Sequence, residues 1–585
     1  MIRLFRFLKP YRFSLAVVFV LVFAQSIANL YLPTLMADIV DNGIVKNDVG
    51  YIERVGVLML VISLGGVIAA VIAAYFSAHI AVGFGRRIRR ELYTHVQQFA
   101  LREFDRVGTA SLITRTTNDT NQVQQVMVII LLMLLGAPLT AIGGIILAIR
   151  QDATLTWVLA AAIPILVIAI LLLMGQAVPL FRVVQQKLDR LNLIIDEGLT
   201  GVRVIRAFDR AAYEEQRFDV ANSDLTDVSI RVNRIIAVLF PLMMLVLNLT
   251  TVAILWFGAI RVDTAGLQVG TLIAFLQYAI LILFSFLMIS MLFVMLPRAA
   301  ASATRINEIL AMQPTVTDDT VASAETRAQR VVDGQDALNA TVVFDDVTFS
   351  YPGAEEPALA HISFEAHPGQ VTAIIGGTGS GKSTLINLIP RFYDVDSGRV
   401  LVDGADVRSM TQHELRAKIG FVPQTAVLFS GSVSENIRYG KRDATDDEVR
   451  HAADTAQATE FVSEMSEGFD APIAQGGTNV SGGQKQRLSI ARALARQPEI
   501  YIFDDSFSAL DYKTDAQLRA ALKKETTRAT VLIVAQRVST VMDADQILVL
   551  DEGRLVGTGT HRELMETSPV YREIVFSQLS AEEVA

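Results

Sequence analysis

Six long runs without a charged residue dominate the first half of the chain. Each run has at least 25 residues and no Asp, Glu, Lys or Arg, and the runs cover 13–37, 55–85, 120–149, 153–181, 235–260 and 264–297. A helix needs about 20 apolar residues to cross the hydrocarbon core of a bilayer. Core helices of a soluble bundle are the alternative, but six such runs within one half of a chain favour six transmembrane helices.

The segments between the runs differ in length and charge. The connections after the first, third and fifth runs are short, whereas residues 86–118 and 182–233 are long and rich in Arg. The excess of positive charge predicts that both long segments, both termini and the second half of the chain are cytoplasmic. Both long segments are predicted to extend the helices into the cytoplasm by about 50 Å or more, at 1.5 Å per residue. Each contains a candidate docking elbow, at 106–112 and 206–212.

After Arg298 the pattern becomes polar, and residues 313–340 have no apolar period, which is typical of a connector. From Thr341 onward, short apolar runs alternate with helical stretches, and this alternation predicts an α/β domain. Its sheet is expected to be mostly parallel, with an antiparallel portion at its start. The predicted strands are Val342–Phe344, Gln370–Ile375, Arg399–Val402, Ile500–Phe503, Thr530–Val534 and Gln546–Leu550. We therefore divide the chain into a membrane domain (1–325), a linker (326–340) and an α/β domain (341–585).

Composition supports a membrane protein and excludes some chemistry. Hydrophobic residues make up 52% of the chain and charged residues 19%, which is apolar for a soluble protein. The absence of cysteine excludes disulfides and cysteine-bound metals. The net charge of −9 does not indicate binding to nucleic acid, so no nucleic-acid partner is expected.

The most informative motif of the α/β domain is Gly376–Ser383, which has the phosphate-binding pattern G-x-x-x-x-G-K-S. An apolar run precedes it and a helical pattern follows, as such a loop requires. Its glycines let backbone N–H groups converge on phosphate oxygens, and the start of the helix adds its dipole. Lys382 supplies a positive charge for the phosphates, and the Ser383 hydroxyl suits Mg²⁺.

Two further stretches complete a nucleotide-hydrolysing site. The apolar strand Ile500–Phe503 is followed by Asp504, whose carboxylate can reach Mg²⁺, and by Asp505, which stands where a general base is expected. Residues 479–484 form a Gly-rich turn before a helix and offer a second phosphate-binding surface. One nucleotide can use both surfaces only if the chain folds them together or a second chain supplies one of them.

These motifs resemble those of ATP-binding cassette (ABC) transporters. Gly376–Ser383 resembles Walker A, Ile500–Asp504 resembles Walker B, and Val480–Gln484 resembles the family signature. The smaller matches are Tyr351 for the adenine-stacking aromatic residue, Gln424 for the Q-loop and Ser508–Asp511 for the D-loop. Residues 1–325 resemble the six-helix membrane domain of ABC exporters, including coupling-loop patterns at 111–115 and 203–208.

The resemblance implies an ATPase with ATP and Mg²⁺ as cofactors. It places Ser383, Gln424 and Asp504 at the metal. Catalytic positions are Lys382, Asp505 and Gln536. The residues implied to contact ATP are Tyr351, Gly376, Gly377, Thr378, Gly379, Ser380, Gly381, Lys382, Ser383, Thr384, Gln424, Ser481, Gly482, Gly483, Gln484 and Asp504.

The chain departs from the family at two of these positions. The family usually has Glu after the Walker B Asp and His in the switch loop, whereas this chain has Asp505 and Gln536. The shorter Asp places its carboxylate about 1 Å or more from the expected position, and such a displacement can cost ~10²-fold in rate. Another departure is Ala211, where family members often carry Glu in the second coupling loop.

The pair of changes beside an intact signature resembles one subunit of heterodimeric bacterial exporters, and this resemblance implies a location in a bacterial plasma membrane. The expected partner is a homologous half-transporter with a Walker B Glu and a switch His. The expected function is export of amphipathic small molecules, such as drugs or lipids, with membrane lipid as a further partner. A lipid flippase or a siderophore importer of the same fold remains an alternative, as does an ATP-gated channel or regulatory protein. The channel would need charged residues along its pore, and the six runs contain none.

Overall fold

The computed structural model describes residues 2–264, 266–318 and 340–579. Most of the predicted linker, 326–339, lies outside the described residues. The chain divides into two compact units, one formed by Met1–Gln97 and Thr109–Met312 and the other by Gln98–Gly108 and Gln313–Ala585. The second unit therefore includes a short segment from the first half of the sequence.

The membrane unit confirms the six predicted helices. In the part of the chain that the structure describes, six helical segments are long and apolar enough to cross a membrane: Ile2–Ile44, Val49–Val96, Thr109–Gln151, Thr156–Thr200, Ala211–Asp263 and Val269–Ile289. The long charged segments continue these helices over a shorter distance than the predicted 50 Å. Val49–Val96 ends 11 residues past its charge-free run and Thr156–Thr200 ends 19 residues past its own, which adds about 16 and 28 Å at 1.5 Å per residue. The helices Val49–Val96, Thr156–Thr200 and Ala211–Asp263 have 48, 45 and 53 residues, so each is roughly 70–80 Å long.

Several of these segments combine different helix types. A 3-10 helix, Ile2–Tyr11, precedes the first span, and π-helical turns occur at Ile39–Ile44, Arg115–Asp119 and Ile130–Leu134. The α-helices up to residue 311 are α1 (Arg12–Asp38), α2 (Val49–Val96), α3 (Leu101–Val107), α4 (Thr109–Thr114), α5 (Thr120–Ile129), α6 (Leu135–Gln151), α7 (Thr156–Thr200), α8 (Val202–Ala207), α9 (Ala211–Asp263) and α10 (Val269–Ala311).

The first elbow, 106–112, contains the end of α3, which belongs to the α/β unit, and the start of α4, which belongs to the membrane unit. The Glu103 carboxylate accepts a hydrogen bond from the Ala100 backbone N–H at 2.8 Å and so satisfies a free donor at the start of α3. Gly108, with φ of +77°, ends the helix, because a left-handed conformation is favourable only without a side chain. The second elbow, 206–212, contains the end of α8 and the start of α9, and none of its residues is buried.

The α/β unit has two main sheets. The strands are β1 (Val342–Phe349), β2 (Leu359–Ala366), β3 (Val371–Gly376), β4 (Ser397–Val402), β5 (Ala405–Asp406), β6 (Ile419–Val422), β7 (Gly431–Ser432), β8 (Pro472–Ile473), β9 (Ile500–Asp504), β10 (Thr530–Val534), β11 (Gln546–Asp551) and β12 (Arg554–Gly559). One sheet is antiparallel with the order β2-β1-β4-β5, and the other has the order β12-β11-β3-β10-β9-β6. The short strands β7 and β8 pair with each other.

All six predicted strands are present, but the expectation of one sheet is wrong. The antiparallel strands β1, β2 and β4 form a separate sheet, because β1 pairs with both neighbours and none of the three pairs with β3. In the larger sheet β9 and β10 are buried along their whole length. Alternate residues, such as Ile502 and Phe503, enter hydrophobic clusters on opposite faces of this sheet. A parallel sheet covered on both faces therefore produces the continuous apolar runs seen in the sequence.

Helices cover the larger sheet and connect its strands. They are α11 (Lys382–Leu388), α12 (Gln412–Ala417), α13 (Val433–Arg438), α14 (Asp446–Thr455), α15 (Thr459–Glu464), α16 (Gly482–Ala495), α17 (Tyr512–Glu525), α18 (Val538–Val541), α19 (His561–Thr567) and α20 (Pro569–Gln578). Five of these described helices begin with a complete capping box. In each box a Ser or Thr hydroxyl accepts a hydrogen bond from the backbone N–H of a Glu or Gln three residues later, and the side chain of that Glu or Gln accepts one from the backbone N–H of the Ser or Thr.

Candidate nucleotide site

The carboxyl ends of three neighbouring parallel strands form the site. Strand β10 lies between β3 and β9, and its last residue, Val534, is in register with Ile374 of β3 and Asp504 of β9. The phosphate loop follows β3, Asp505 follows β9, and Gln536 lies two residues beyond β10. The topology therefore brings the phosphate loop together with Asp505 and Gln536, which both lie more than 100 residues further along the chain.

These strand ends border a cavity of about 470 Å³. The lining residues are Tyr351, Ala358, Thr378, Gly379, Gly381, Lys382, Ser383, Thr384, Gln424, Asp504, Asp505, Val534 and Gln536. The cavity thus gathers the residues expected from Walker A, Walker B, the Q-loop, the adenine contact and the switch loop. Ala358 and Val534 were not expected there, because neither carries a chemical signal in the sequence.

The phosphate loop has a shape that only glycine permits at several positions. Gly379 and Gly381 have φ of +84° and +96°. A Cβ added to Gly376 would lie 2.1 Å from the Leu550 carbonyl oxygen, and one added to Gly381 would lie 2.8 Å from the Ala358 carbonyl oxygen. The motif therefore reflects both backbone conformation and close packing.

Lys382 folds back over the loop. Its amine donates hydrogen bonds to the carbonyl oxygens of Gly376, at 3.0 Å, and Gly377, at 2.6 Å. Burial lowers the pKa of the Lys382 amine, while the carboxylates of Asp505 and Asp504 act in the opposite direction. An arriving phosphate would replace the two carbonyl acceptors with a charged one.

The oxygen atoms near Ser383 fit a magnesium ion. The Ser383 hydroxyl donates a hydrogen bond to Asp504 Oδ1 at 3.0 Å, and Gln424 lines the same cavity. Hydroxyl, carboxylate and amide oxygens are hard ligands of the kind that Mg²⁺ prefers. Burial raises the pKa of Asp504, as does the negative charge of Asp505. A divalent cation would relieve both effects.

Asp505 and Gln536 are in direct contact. The Gln536 Nε2 group donates a hydrogen bond to Asp505 Oδ2 at 2.9 Å. Burial raises the pKa of Asp505, whereas hydrogen bonds from Ser508 and Gln424 lower it. The carboxylate at the general-base position is therefore already engaged by neighbouring side chains.

An aromatic cluster borders the other end of the cavity. Tyr351 packs edge-on against Phe349 and Tyr393, with ring centroids 5.1 and 5.6 Å away, and its hydroxyl lies 3.0 Å from Thr384 Oγ1. The Tyr393 hydroxyl donates a hydrogen bond to Asp105 of α3 at 3.0 Å. Burial and the Asp105 carboxylate raise the pKa of Tyr393 far above its usual range, so the donor proton is retained.

The signature residues do not line this cavity. Ser481 caps α16, because its hydroxyl accepts a hydrogen bond from the Gln484 backbone N–H at 3.3 Å and the Gln484 side chain accepts one from the Ser481 N–H at 2.8 Å. Ser481 and Gly482 lie at the start of this helix, where Gly482 is exposed. Within this chain, the second phosphate-binding surface is therefore separate from the first.

Lys382→Ala should abolish binding of nucleotide at this cavity, because among the described residues no other lysine lines it. The change should remove one bound nucleotide per assembled complex, measured by trapping of radiolabelled ATP. Lys523→Ala, which changes an exposed lysine in the last turn of α17, should leave the stoichiometry unchanged. Unchanged stoichiometry in Lys382→Ala would mean that the cavity does not hold ATP.

Fold and site together define a membrane-spanning P-loop ATPase, and comparisons with known proteins identify its family. Residues 15–286 match the family model described as ABC transporter transmembrane region, and residues 359–508 match the model described as ABC transporter. An uncharacterised ABC transporter ATP-binding protein of Mycobacterium tuberculosis is 42% identical over 98% of this chain and 97% of its own length. The corresponding protein YfiB of Bacillus subtilis is 38% identical, with 98% of each chain covered.

The chain therefore belongs to the ABC transporter family. A bacterial Atm1-family ABC exporter solved with ATP bound has the same fold, with a TM-score of 0.81, 24% identity, and coverage of 97% of this chain and 99% of the other. An ATP-dependent lipid A-core flippase of Vibrio vulnificus is 28% identical over 98% of this chain and 96% of its own length. The protein is a multi-pass ABC half-transporter with an ATPase domain coupled to transport.

Proposed function

We propose that this chain is one subunit of a heterodimeric exporter that moves amphipathic drugs or lipids out of the cytoplasm or the inner leaflet. In this proposal the nucleotide-binding domain, 341–585, and both termini face the cytoplasm of a bacterium. The chain contributes one nucleotide site of low activity. It also contributes the signature of a second, competent site whose Walker motifs belong to the partner.

The observation that carries the proposal is the hydrogen bond between Gln536 and Asp505. Family members usually have His and Glu at these two positions. The short Asp505 side chain cannot reach as far as Glu, and the amide of Gln536 holds one of its oxygens. A general base must be free to accept a proton from the attacking water. The combination supports slow hydrolysis at a site that retains its other parts.

Those other parts support tight binding of ATP. The exposed face of Tyr351 can stack on adenine, and backbone N–H groups of the phosphate loop can cradle the phosphates. Lys382 would exchange its carbonyl partners for phosphate oxygens. Ser383, Gln424 and Asp504 would hold Mg²⁺, which neutralises phosphate charge during transfer. Slow turnover with firm binding is the expected behaviour of a regulatory site.

Two exposed surfaces support a dimer. The first turn of α16 presents Gly482 and Gly483 at its start, outside the cavity of this chain, and a phosphate bound there would come from another chain. The second elbow, 206–212, also lacks a buried residue, and Phe208 within it is 74% exposed. Large exposed apolar side chains on a cytoplasmic elbow are typical of a docking surface.

Lipid flipping is the second candidate, favoured by the similarity to the lipid A-core flippase. Both activities would use the same cycle, in which ATP shifts the population between inward- and outward-facing states. They differ only in where the substrate enters and leaves.

Reconstitution tests transport directly. The chain and its partner, purified together into proteoliposomes with the nucleotide domains outward, should accumulate amphipathic dyes inside the vesicles when ATP is added. A flippase should instead move labelled lipid from the outer to the inner leaflet. Lys382→Ala should slow either process. ATP-driven loss of preloaded dye from the vesicles would indicate import and contradict the proposal.

A further inference from the structure

The N-terminal 3-10 helix forms one wall of a separate groove. The groove has a volume of about 350 Å³, which is near the lower end of the usual range for ligand pockets. Its apolar wall comes from three elements: the 3-10 helix, the start of α1, and the region where α5 passes into the π-helical turn Ile130–Leu134. The apolar lining residues are Phe5, Leu8, Leu15, Met127, Ile130 and Leu131.

The sequence places the groove residues of the 3-10 helix on one face. Phe5 and Leu8 are three residues apart, so they coincide in a helix of three residues per turn. Leu4, on the other side, is only 1% exposed and anchors the helix to the protein. The helix thus resembles an amphipathic segment at a membrane interface. Leu4 holds it to the protein, while Phe5 and Leu8 can contact lipid.

Two cations, Lys9 and Arg12, also line the groove. Both are exposed, and the chain contains no acidic residue before Asp38. Neither cation forms an ion pair or hydrogen bond with another described side chain. Two uncompensated positive charges beside an apolar channel match an amphiphile with an anionic head and a hydrocarbon tail.

We propose that this groove is a binding site for an anionic phospholipid of the inner leaflet, with an acyl chain along the apolar wall and the phosphate at Lys9 and Arg12. The assignment to the inner leaflet rests on the topology proposed above. The cytoplasmic leaflet contains anionic lipids, and its negative surface potential attracts basic protein segments. The lipid would also contact a π-helical turn, a helix irregularity that frequently marks functional sites. It is a resident ligand, independent of whichever substrate is transported.

Charge removal distinguishes a specific site from general attraction to the membrane. In the full chain, purified with its partner, binding of phosphatidylglycerol and phosphatidylcholine is measured by native mass spectrometry during lipid titration. Lys9→Gln with Arg12→Gln should weaken phosphatidylglycerol binding about 5- to 30-fold. The same charge change at Arg3 and Arg6, which do not line the groove, should have little effect. Equal weakening by both pairs, or equal affinity for both lipids, would overturn the proposal.

Photo-crosslinking locates the lipid. A photoreactive phenylalanine analogue at Ile130 should form an adduct with the mass of phosphatidylglycerol, and the Lys9/Arg12 double change should reduce its yield. The same analogue at Ile142, an exposed position of α6, should show no preference for the anionic lipid. An adduct with the partner polypeptide at Ile130 would mean that a protein surface covers the groove and would overturn the proposal. Because these readouts do not use ATPase activity, they can fail while the proposed transport function stands.

Discussion

Asp505→Glu combined with Gln536→His should raise the ATPase rate of the chain purified alone by about 10²-fold. The longer Glu restores the reach of the carboxylate, and a displacement of about 1 Å at a reacting group is worth such a factor. The second change removes the amide that donates to Asp505 at 2.9 Å. The unchanged chain should show at most a few per cent of the turnover of a competent exporter. Steady-state phosphate release in nanodiscs measures both rates.

Three controls define the cause of this gain. Each single change should recover only part of the gain in ATPase rate. Asp505→Glu restores the reach of the general base, whereas Gln536→His removes the amide that binds its carboxylate. Adding Lys382→Ala to the double variant should remove the gain, since binding through the phosphate loop would be lost. Rapid hydrolysis by the unchanged chain alone would refute the low-activity assignment of the site.

In the complex with its partner, the two nucleotide sites should respond unequally to removal of a carboxylate. Changing the partner's Walker B Glu to Gln should abolish turnover, because no general base remains at the competent site. Asp505→Asn should lower turnover far less. Ser481→Ala should impair the partner's site by about 10²-fold, since loss of one donor to transition-state charge has effects of that size. ATPase activity of the co-expressed pair measures all three.

The chain supplies a matched control for Ser481. Thr445 caps α14 with a capping box of the same kind, and its hydroxyl accepts from the Glu448 N–H at 3.2 Å. Thr445→Ala should cost a similar amount of helix stability, about 1 kcal/mol, without slowing turnover. If Asp505→Asn and the partner's Glu→Gln caused equal losses, the two sites would be equivalent and the asymmetric proposal would fail.

The parts of the fold that follow from hydrophobic pattern were predictable. Charge-free runs marked the six membrane helices, and the strands buried on both faces appeared as unbroken apolar runs, as at 500–503. Strand β2 was missed because it alternates between buried and exposed residues from Leu359 to Ala366, and β12 because it contains two glycines and has no fully buried residue. Strand β2 pairs with β1 in the antiparallel sheet. The sequence alone did not show that this sheet is separate from the parallel one.

The candidate site was predictable wherever chemistry imposes a residue type. Glycines with positive φ and a lysine in the phosphate loop follow from phosphate binding, so they appear as a motif. The contact between Gln536 and Asp505 depends on strand order, which places β10 beside β9. The hydrogen bond from Tyr393 to Asp105 joins residues 288 positions apart, and no periodicity in the sequence encodes such a pair.

Tyr393 links the proposed nucleotide site to α3, so substitutions at this position are expected to affect more than ATP binding. The Tyr393 ring packs against the ring of Tyr351, which is proposed to contact the adenine of ATP. The Tyr393 hydroxyl donates a hydrogen bond to Asp105 of α3. In sequence, α3 lies between α2 and α4. Tyr393 therefore contacts both the proposed adenine-binding residue, Tyr351, and the short helix α3. A defect at this residue would leave the phosphate loop in place, yet it would release α3 from its contact with the rest of the α/β unit.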